Sequence, residues 1–479
     1  MPIDLNAPLA WQQADADELK LLQCLQGNIL KGHGREHTAN IFFRFAANQP
    51  SASRRMLREL ANFHLTSAHR QLLDAKRFKA GEAGGGPFVH LALSFSGYQA
   101  IGLEANAPDD PDFRAGRRSA LSRNALNDPA LGQWEAVFQD DIHAVVLAPH
   151  QSESEVAALT AAIKELIEDA GGHIVHTQHG RALKNAKGNG IEHFGYVDGR
   201  SQPLLLQEDI DREIDTAGSS RWDSAFSLNA ALVQDPGPSD GVSFGSFFIF
   251  RKLEQDVRRF KTREQEVADA LSLTGDDREL AGAMIVGRFE DGTPVTLSNT
   301  ARGARPPNNF NYQGDPARRC PFHAHIRKAN PRGSGGEEAA TDERTHLMPR
   351  RGIPFEDVKR VIHPDELPEA GSLREFNEKV APLLPSAGVG LLFMAYNQEI
   401  ARQFKFTQQT WANNHNFPRQ PGGPHGIDPV IGQGCSTPGE QELPTVWDDP
   451  GAGANNQVDF AGFVHMRGGE YFFHPALPS

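Results

Sequence analysis

The sequence predicts an α+β protein built from two halves. Three observations lead there: strand-length apolar runs alternate with helical patterns up to residue 206, a polar stretch follows, and a second strand-and-helix series begins at Phe244. A chain of 479 residues also exceeds the size at which single cores stop growing, so two similar units or one large enzyme are expected.

Residues 41–45, 88–95 and 142–147 are short apolar runs of strand length. Between Ser154 and Gly171 the apolar positions Val156, Leu159, Ile163, Leu166 and Ile167 recur at helical spacing, and Ser154 and Gly171 supply start and stop signals. Residues 207–243 are rich in Asp, Ser, Pro and Gly and read as a long connection, which divides the chain into 1–206, the connection, and 244–479. Beyond it, 247–250 reads as a strand, 263–273 as a helix, 389–395 as a buried strand and 400–411 as helical. Residues 333–344 combine Gly-Ser-Gly-Gly with acidic side chains and read as a mobile surface loop. No solenoid period is visible.

Charge and composition exclude several classes. A formal charge of −13 argues against a nucleic-acid partner, which needs a basic field. No apolar run is long enough to span a bilayer. The first residues lack the basic and apolar regions of a secretory signal, so a cytoplasmic protein is expected, although a mature secreted form would read the same. Cys24, Cys320 and Cys435 are too few and scattered for a disulfide framework or a Cys-based zinc site.

Two segments carry chemistry. Arg319-Cys320-Pro321-Phe322-His323-Ala324-His325-Ile326-Arg327 sets two imidazoles among guanidinium groups, a combination that suits an anionic cofactor whose metal takes one nitrogen ligand, as haem does. His-x-His also occurs in ordinary strands, and Arg near His is commonly a solvated face. Gly195-Tyr196-Val197-Asp198-Gly199 places glycines on both sides of one acid, which lets the backbone turn sharply and approach a flat ligand. An ordinary surface turn has the same composition.

Together with residues 26–32, 86–102, 245–257, 350–355, 390–396 and 404–414, in that order, these segments resemble the dye-decolourising (DyP-type) haem peroxidase family along nearly the whole chain. The resemblance implies two ferredoxin-like halves with antiparallel sheets flanked by helices, and one haem b (iron protoporphyrin IX) per chain held mainly by the C-terminal half. It also implies hydrogen peroxide as oxidant, small phenolic or dye-like aromatic reductants oxidised by one-electron steps, and a monomer or homodimer. The alternative within the same fold is a haem-handling or haem-sensing protein without peroxidase turnover.

Residue by residue, Asp198 matches the family's distal acid, which would shuttle the peroxide proton. A carboxylate keeps its basic form at lower pH than an imidazole, so acidic working conditions are expected. In a strand, His323 and His325 would share a side and periodicity would not choose between them. The family pattern Cys-Pro-Phe-x-x-His ends on His325, which makes it the expected iron ligand and His323 a polar neighbour. Arg327 matches a haem-propionate partner, and Arg332 would do the same or cap a loop. Of Arg350 and Arg351, whose side chains point opposite ways in an extended segment, Arg350 stands at the family's distal cation. Leu391 and Phe393 would line the distal pocket. No carboxylate to orient the proximal imidazole is evident in residues 411–415, where amides stand. Trp411, Tyr396, Trp222 and Trp447 are the candidates for surface electron transfer, with Trp222 and Trp447 in polar loops.

Overall fold

The computed structural model describes residues 3–82, 86–238, 240–303, 307–359, 361–452 and 455–478. Four strands build the first half: β1 (His37–Arg44), β2 (His90–Leu93), β3 (Ala144–His150) and β4 (His173–Arg181). Four more build the second: β5 (Phe244–Gln255), β6 (Ile353–Glu356), β7 (Val389–Asn397) and β8 (Val464–His474). The first half runs in the order β4-β1-β3-β2 and the second in the order β8-β5-β7-β6, so each has its fourth strand beside its first and its third beside its second. This repeated order is the ferredoxin-like arrangement.

The halves do not keep separate sheets. β2 pairs with β8 at Leu93 and Phe473, which makes one nine-stranded antiparallel sheet with the short strand Val233–Gln234 beside β5. Its far edges approach each other as well. Gln178 on β4 donates to Asp357 just past β6 at 3.0 Å, and a Cβ on Gly180 would stand 2.7 Å from Ile353 Cγ2, so only glycine permits the approach. The inner strands β3 and β5 are buried on both faces, which explains why they read as near-continuous apolar runs rather than alternating ones.

The two faces serve two cores. On one, Ile41, Phe43 and Val146 pack beneath the helices Pro50–Phe63 and Glu153–Asp169. The second helix buries Val156, Ile163 and Ile167 and stops at Gly171, whose φ of +76° suits glycine. On the other face Phe42 of the first half meets Phe250 of the second with ring centroids 4.9 Å apart, so the interior is shared by both halves.

Two sequence expectations change here. The connection 207–243 contains the helix Gln207–Ala217, which the sequence's turn-forming residues conceal. The 333–344 segment is tied down by Glu343, whose carboxylate accepts from the amides of Gly333 at 2.6 Å and Gly335 at 2.8 Å, and its last residues form the helix Ala340–Glu343.

The seam between β2 and β8 buries His90 and His474 completely, ring centroids 5.0 Å apart, and among the described residues neither ring nitrogen of His90 has a hydrogen-bond partner. Burial holds His90 well below the ordinary imidazole range, and His474 and nearby His33 at about 3. The unfolded chain binds protons below about pH 6.5 that the folded imidazoles refuse, so stability must fall as pH drops from there toward 3. Thermal melts between pH 7 and 4 are expected to show that loss, and a His90→Gln, His474→Gln variant to lose less over the same interval.

Candidate active site

Between the halves lies a cavity of about 300 Å³ walled by Asp198, His325, Arg350, Leu391 and Phe393 among others. Each side chain arrives for a local reason. Asp198 sits in the turn after Glu192, whose carboxylate accepts from the amides of Phe194 at 2.8 Å and Tyr196 at 3.1 Å, while Gly195 and Gly199 take the positive φ values the bend requires. Asp198 accepts from the amide of Gly199 at 2.6 Å. On β7 alternate side chains divide the work: Leu392 and Met394 go into the core, Leu391 and Phe393 into the cavity.

His325 opens the short helix His325–Ala329, not a strand. Its Nδ1 bonds to the carboxylate of Asp428 at 2.9 and 3.1 Å, and among the described residues its hydrogen bonds involve no other ring atom, so Nε2 is left to the cavity. Burial alone would lower this imidazole's pKa; the charge and hydrogen bond of fully buried Asp428 overcome it and the pKa ends raised. Asp428 is itself held by the amides of Val430 at 2.8 Å and Ile431 at 2.9 Å. It is the carboxylate that residues 411–415 lack. His323 lies outside the cavity wall, fully buried, with Nε2 unpartnered among the described residues and its pKa lowered to about 3 by burial.

Arg350 and Asp198 feel each other's charge. Burial lowers the Arg350 pKa and Asp198 opposes it. The guanidinium donates to the Arg200 carbonyl at 3.1 Å, and its backbone amide to Gln202 at 2.9 Å. Arg351 turns toward the first half instead, donating to the carbonyls of Asn28 and Ile29, each at 2.9 Å.

Arg327 requires correction. It is buried, does not wall the cavity, and donates to the carbonyls of Cys320 at 2.5 Å and Asp315 at 2.9 Å, with the Asp315 carboxylate 3.5 Å away. Two residues along a helix turn a side chain by about 200°, so Arg327 points away from the side of His325. The cations that do reach the cavity with Arg350 include Arg200, Arg288 and Arg332. Arg332 donates to the carbonyls of Asn308 and Phe310 and lies 3.8 Å over the Phe310 ring, while Arg288 and Arg332 share Ser201 Oγ and Asn308 Oδ1 as acceptors. Among the described residues neither has a carboxylate within 4.0 Å. Arg288 was not foreseen, because nothing in Val286-Gly287-Arg288 signals a site.

Of the aromatic candidates, Trp411 and Tyr396 are core residues. Trp222 is buried under Arg332 and Arg344 rather than lying in an open polar loop, and Trp447 donates its indole N–H to Val295 at 3.0 Å.

Comparison with known proteins agrees with this architecture. A family model described as the DyP dimeric alpha+beta barrel domain matches residues 25–182. The multifunctional dye peroxidase DyP2 of Amycolatopsis sp. is 44% identical over 484 residues, spanning 100% of this chain and 99% of the relative. A solved structure of DyP2 from that organism superposes with a TM-score of 0.91 at 42% identity, covering 99% of both chains. A DyP-type peroxidase of Anabaena sp. superposes with a TM-score of 0.87 at 36% identity, covering 98% of this chain and 96% of its own.

The Arg327 assignment is open to a direct check. Arg327→Met leaves two buried carbonyls and the Asp315 carboxylate without their cation, and a stability loss of roughly 3 kcal/mol or more is expected in denaturant unfolding. A propionate partner would instead lose cofactor with little change in fold stability.

Proposed function

The chain belongs to the DyP-type peroxidase family and is a peroxidase that oxidises dyes, and from that premise we propose that His325, Asp198 and Arg350 work around one haem b per chain. The observation that carries the assignment is that Nε2 of an Asp428-backed imidazole faces the same cavity as an acid and a charged arginine. Apolar walls from Leu391, Phe393, Ile326 and Val430 suit the porphyrin plane. Arg288 and Arg332, without carboxylate partners among the described residues, suit its two propionates, a role that passes from Arg327 to them.

Haem, when bound, would supply redox chemistry at an iron that His325 would hold through its imidazole. Asp428 holds the Nδ1 proton of His325, so the lone pair stands on Nε2. Asp198 takes the proton from the near oxygen of hydrogen peroxide and returns it to the far one, which leaves as water. Arg350 stabilises the negative charge that builds on the departing oxygen. Leu391 and Phe393 keep the distal space small, so bulky reductants give up their electrons from outside. Over a full cycle two phenols lose one electron and one proton each, and one hydrogen peroxide becomes two waters. A haem-handling protein needs a ligand and propionate clamps but no distal acid, and the presence of Asp198 with Arg350 speaks for the enzyme.

His325→Ala is expected to lose its haem on gel filtration while His323→Ala keeps its Soret band; the reverse would make His323 the ligand. Asp198→Asn and Arg350→Leu are expected to keep haem but to consume peroxide more slowly by about two to four powers of ten. Stopped-flow mixing across pH separates their roles. An acid limb in the wild-type rate with peroxide that the Asp198→Asn variant lacks would assign the proton transfer to Asp198, and the same limb in both would remove it.

A further inference from the structure

Along β5 every second side chain, Arg251, Leu253 and Gln255, reaches the cavity wall. Arg251 is buried there, and three contacts fix its guanidinium: Nε donates to the Met466 sulfur at 3.4 Å, Nη1 to Gln408 Oε1 at 2.8 Å and Nη2 to Asp128 Oδ1 at 2.5 Å. Fully buried Asp128 takes Arg117 on its other oxygen, and neither of these two walls the cavity. Glu470, beside Arg117, accepts from the amides of Arg117 and Tyr471 and pairs with Arg118. Gln408 ties the group to the partner of His325: its Nε2 donates to the Ile431 carbonyl at 2.8 Å, and the Ile431 amide donates to Asp428 at 2.9 Å. Burial lowers the Arg251 pKa, Asp128 opposes that and Arg117 adds to it. A buried ion pair is a weak source of stability, because desolvation offsets most of its attraction. On the wall of an apolar cavity, however, a fixed cation acts on whatever the cavity holds, since a charge in a dry interior is little screened.

We propose that Arg251 tunes the cofactor: its cation, fixed at the wall by Asp128 and Gln408, favours the state of the haem that holds one more electron. Each phenol passes one electron to the peroxide-oxidised cofactor and one proton to solvent, and two such events, with two protons taken up, reduce one hydrogen peroxide to two waters. Arg251 strengthens the acceptor of those electrons, so it sets how electron-poor a phenol the protein oxidises. This deepens the peroxidase reading and rests on it.

The test is the ferric–ferrous midpoint of the haem-loaded full chain, a couple that takes one electron and is read without peroxide or turnover. Arg251→Gln removes the charge, keeps an N–H donor and leaves Asp128 paired one to one with Arg117. Its midpoint is expected to fall by about 59 mV or more, a tenfold change in the one-electron equilibrium. Arg251→Lys keeps the charge and is expected to stay within about twofold of the wild-type equilibrium. Asp128→Asn removes the opposing charge and should raise the midpoint. Shifts of opposite sign mark electrostatics, because a loosened wall would move both variants the same way. In turnover, Arg251→Gln should lose more kcat/KM on electron-poor 4-cyanophenol than on electron-rich 4-methoxyphenol. An unchanged midpoint in Arg251→Gln, equal shifts in Arg251→Gln and Arg251→Lys, shifts of one sign in Arg251→Gln and Asp128→Asn, or equal losses on the two phenols would each overturn the proposal. If Asp128→Asn does not hold haem, the two Arg251 variants decide; loss of haem from both of them would make Arg251 a structural residue and overturn the proposal too. A wild type that takes up no haem would instead sink the peroxidase reading itself.

Discussion

The hydrogen bond between His325 and Asp428 fixes which imidazole nitrogen faces the cavity, and much of the nearby structure exists to hold it. Asp428 reaches His325 on a loop 103 residues away in sequence, anchored by Lys328. That fully buried ammonium donates to the carbonyls of Asn414, Phe417 and Gly426 at 2.6 to 2.7 Å. Lys328 stands three residues after His325 on the same short helix, so one turn of chain carries both the imidazole and the anchor of its partner's loop. Burial pulls the Lys328 pKa down to about 7, with Asp428 and Glu440 opposing. Three carbonyl acceptors satisfy all three N–H donors of the ammonium and offset its removal from water.

Opposite this pair, Asp198 and Arg350 come from different halves of the chain. They meet because the halves share one sheet and one aromatic interior, with Phe42 against Phe250. Two independent domains joined by a linker would leave the acid and the cation free to move apart. Here Arg351, the residue next to Arg350, grips the carbonyls of Asn28 and Ile29 in the first half, so the distal segment is pinned across the junction. Of the two adjacent arginines, Arg350 donates to the Arg200 carbonyl beside the cavity and Arg351 acts as the clamp.

What the sequence made legible was short-range. The glycine-flanked acid and the alternation of β7 depend on a few neighbouring residues, and the structure brings Asp198, His325, Arg350, Leu391 and Phe393 to one cavity. Asp428, Arg288 and the second use of Arg332 depend on loops whose paths no local pattern records. Arg327 was placed by its position in the family pattern alone, and the helix His325–Ala329 turns it away from the side of His325. The helix 207–217 was hidden because turn-forming Asp211 and Asp215 occupy its solvent face, while Ile210 alone is buried.

The guanidinium end of the cavity strains the fold when left to itself. Burial lowers the pKa of Arg288 to about 10 and of Arg332 to about 9, and Arg200 adds repulsion to both. The protein offsets this with carbonyls and with the faces of Phe310 and Trp222, which attract cations without neutralising them. An anionic cofactor would remove that repulsion, and because it binds the folded chain alone its affinity adds to the folding free energy. Cofactor retention and fold stability would therefore be linked through the same arginines: Arg288→Leu would relieve the repulsion but leave the Gly292 carbonyl without its donor and the Phe310 face without its cation.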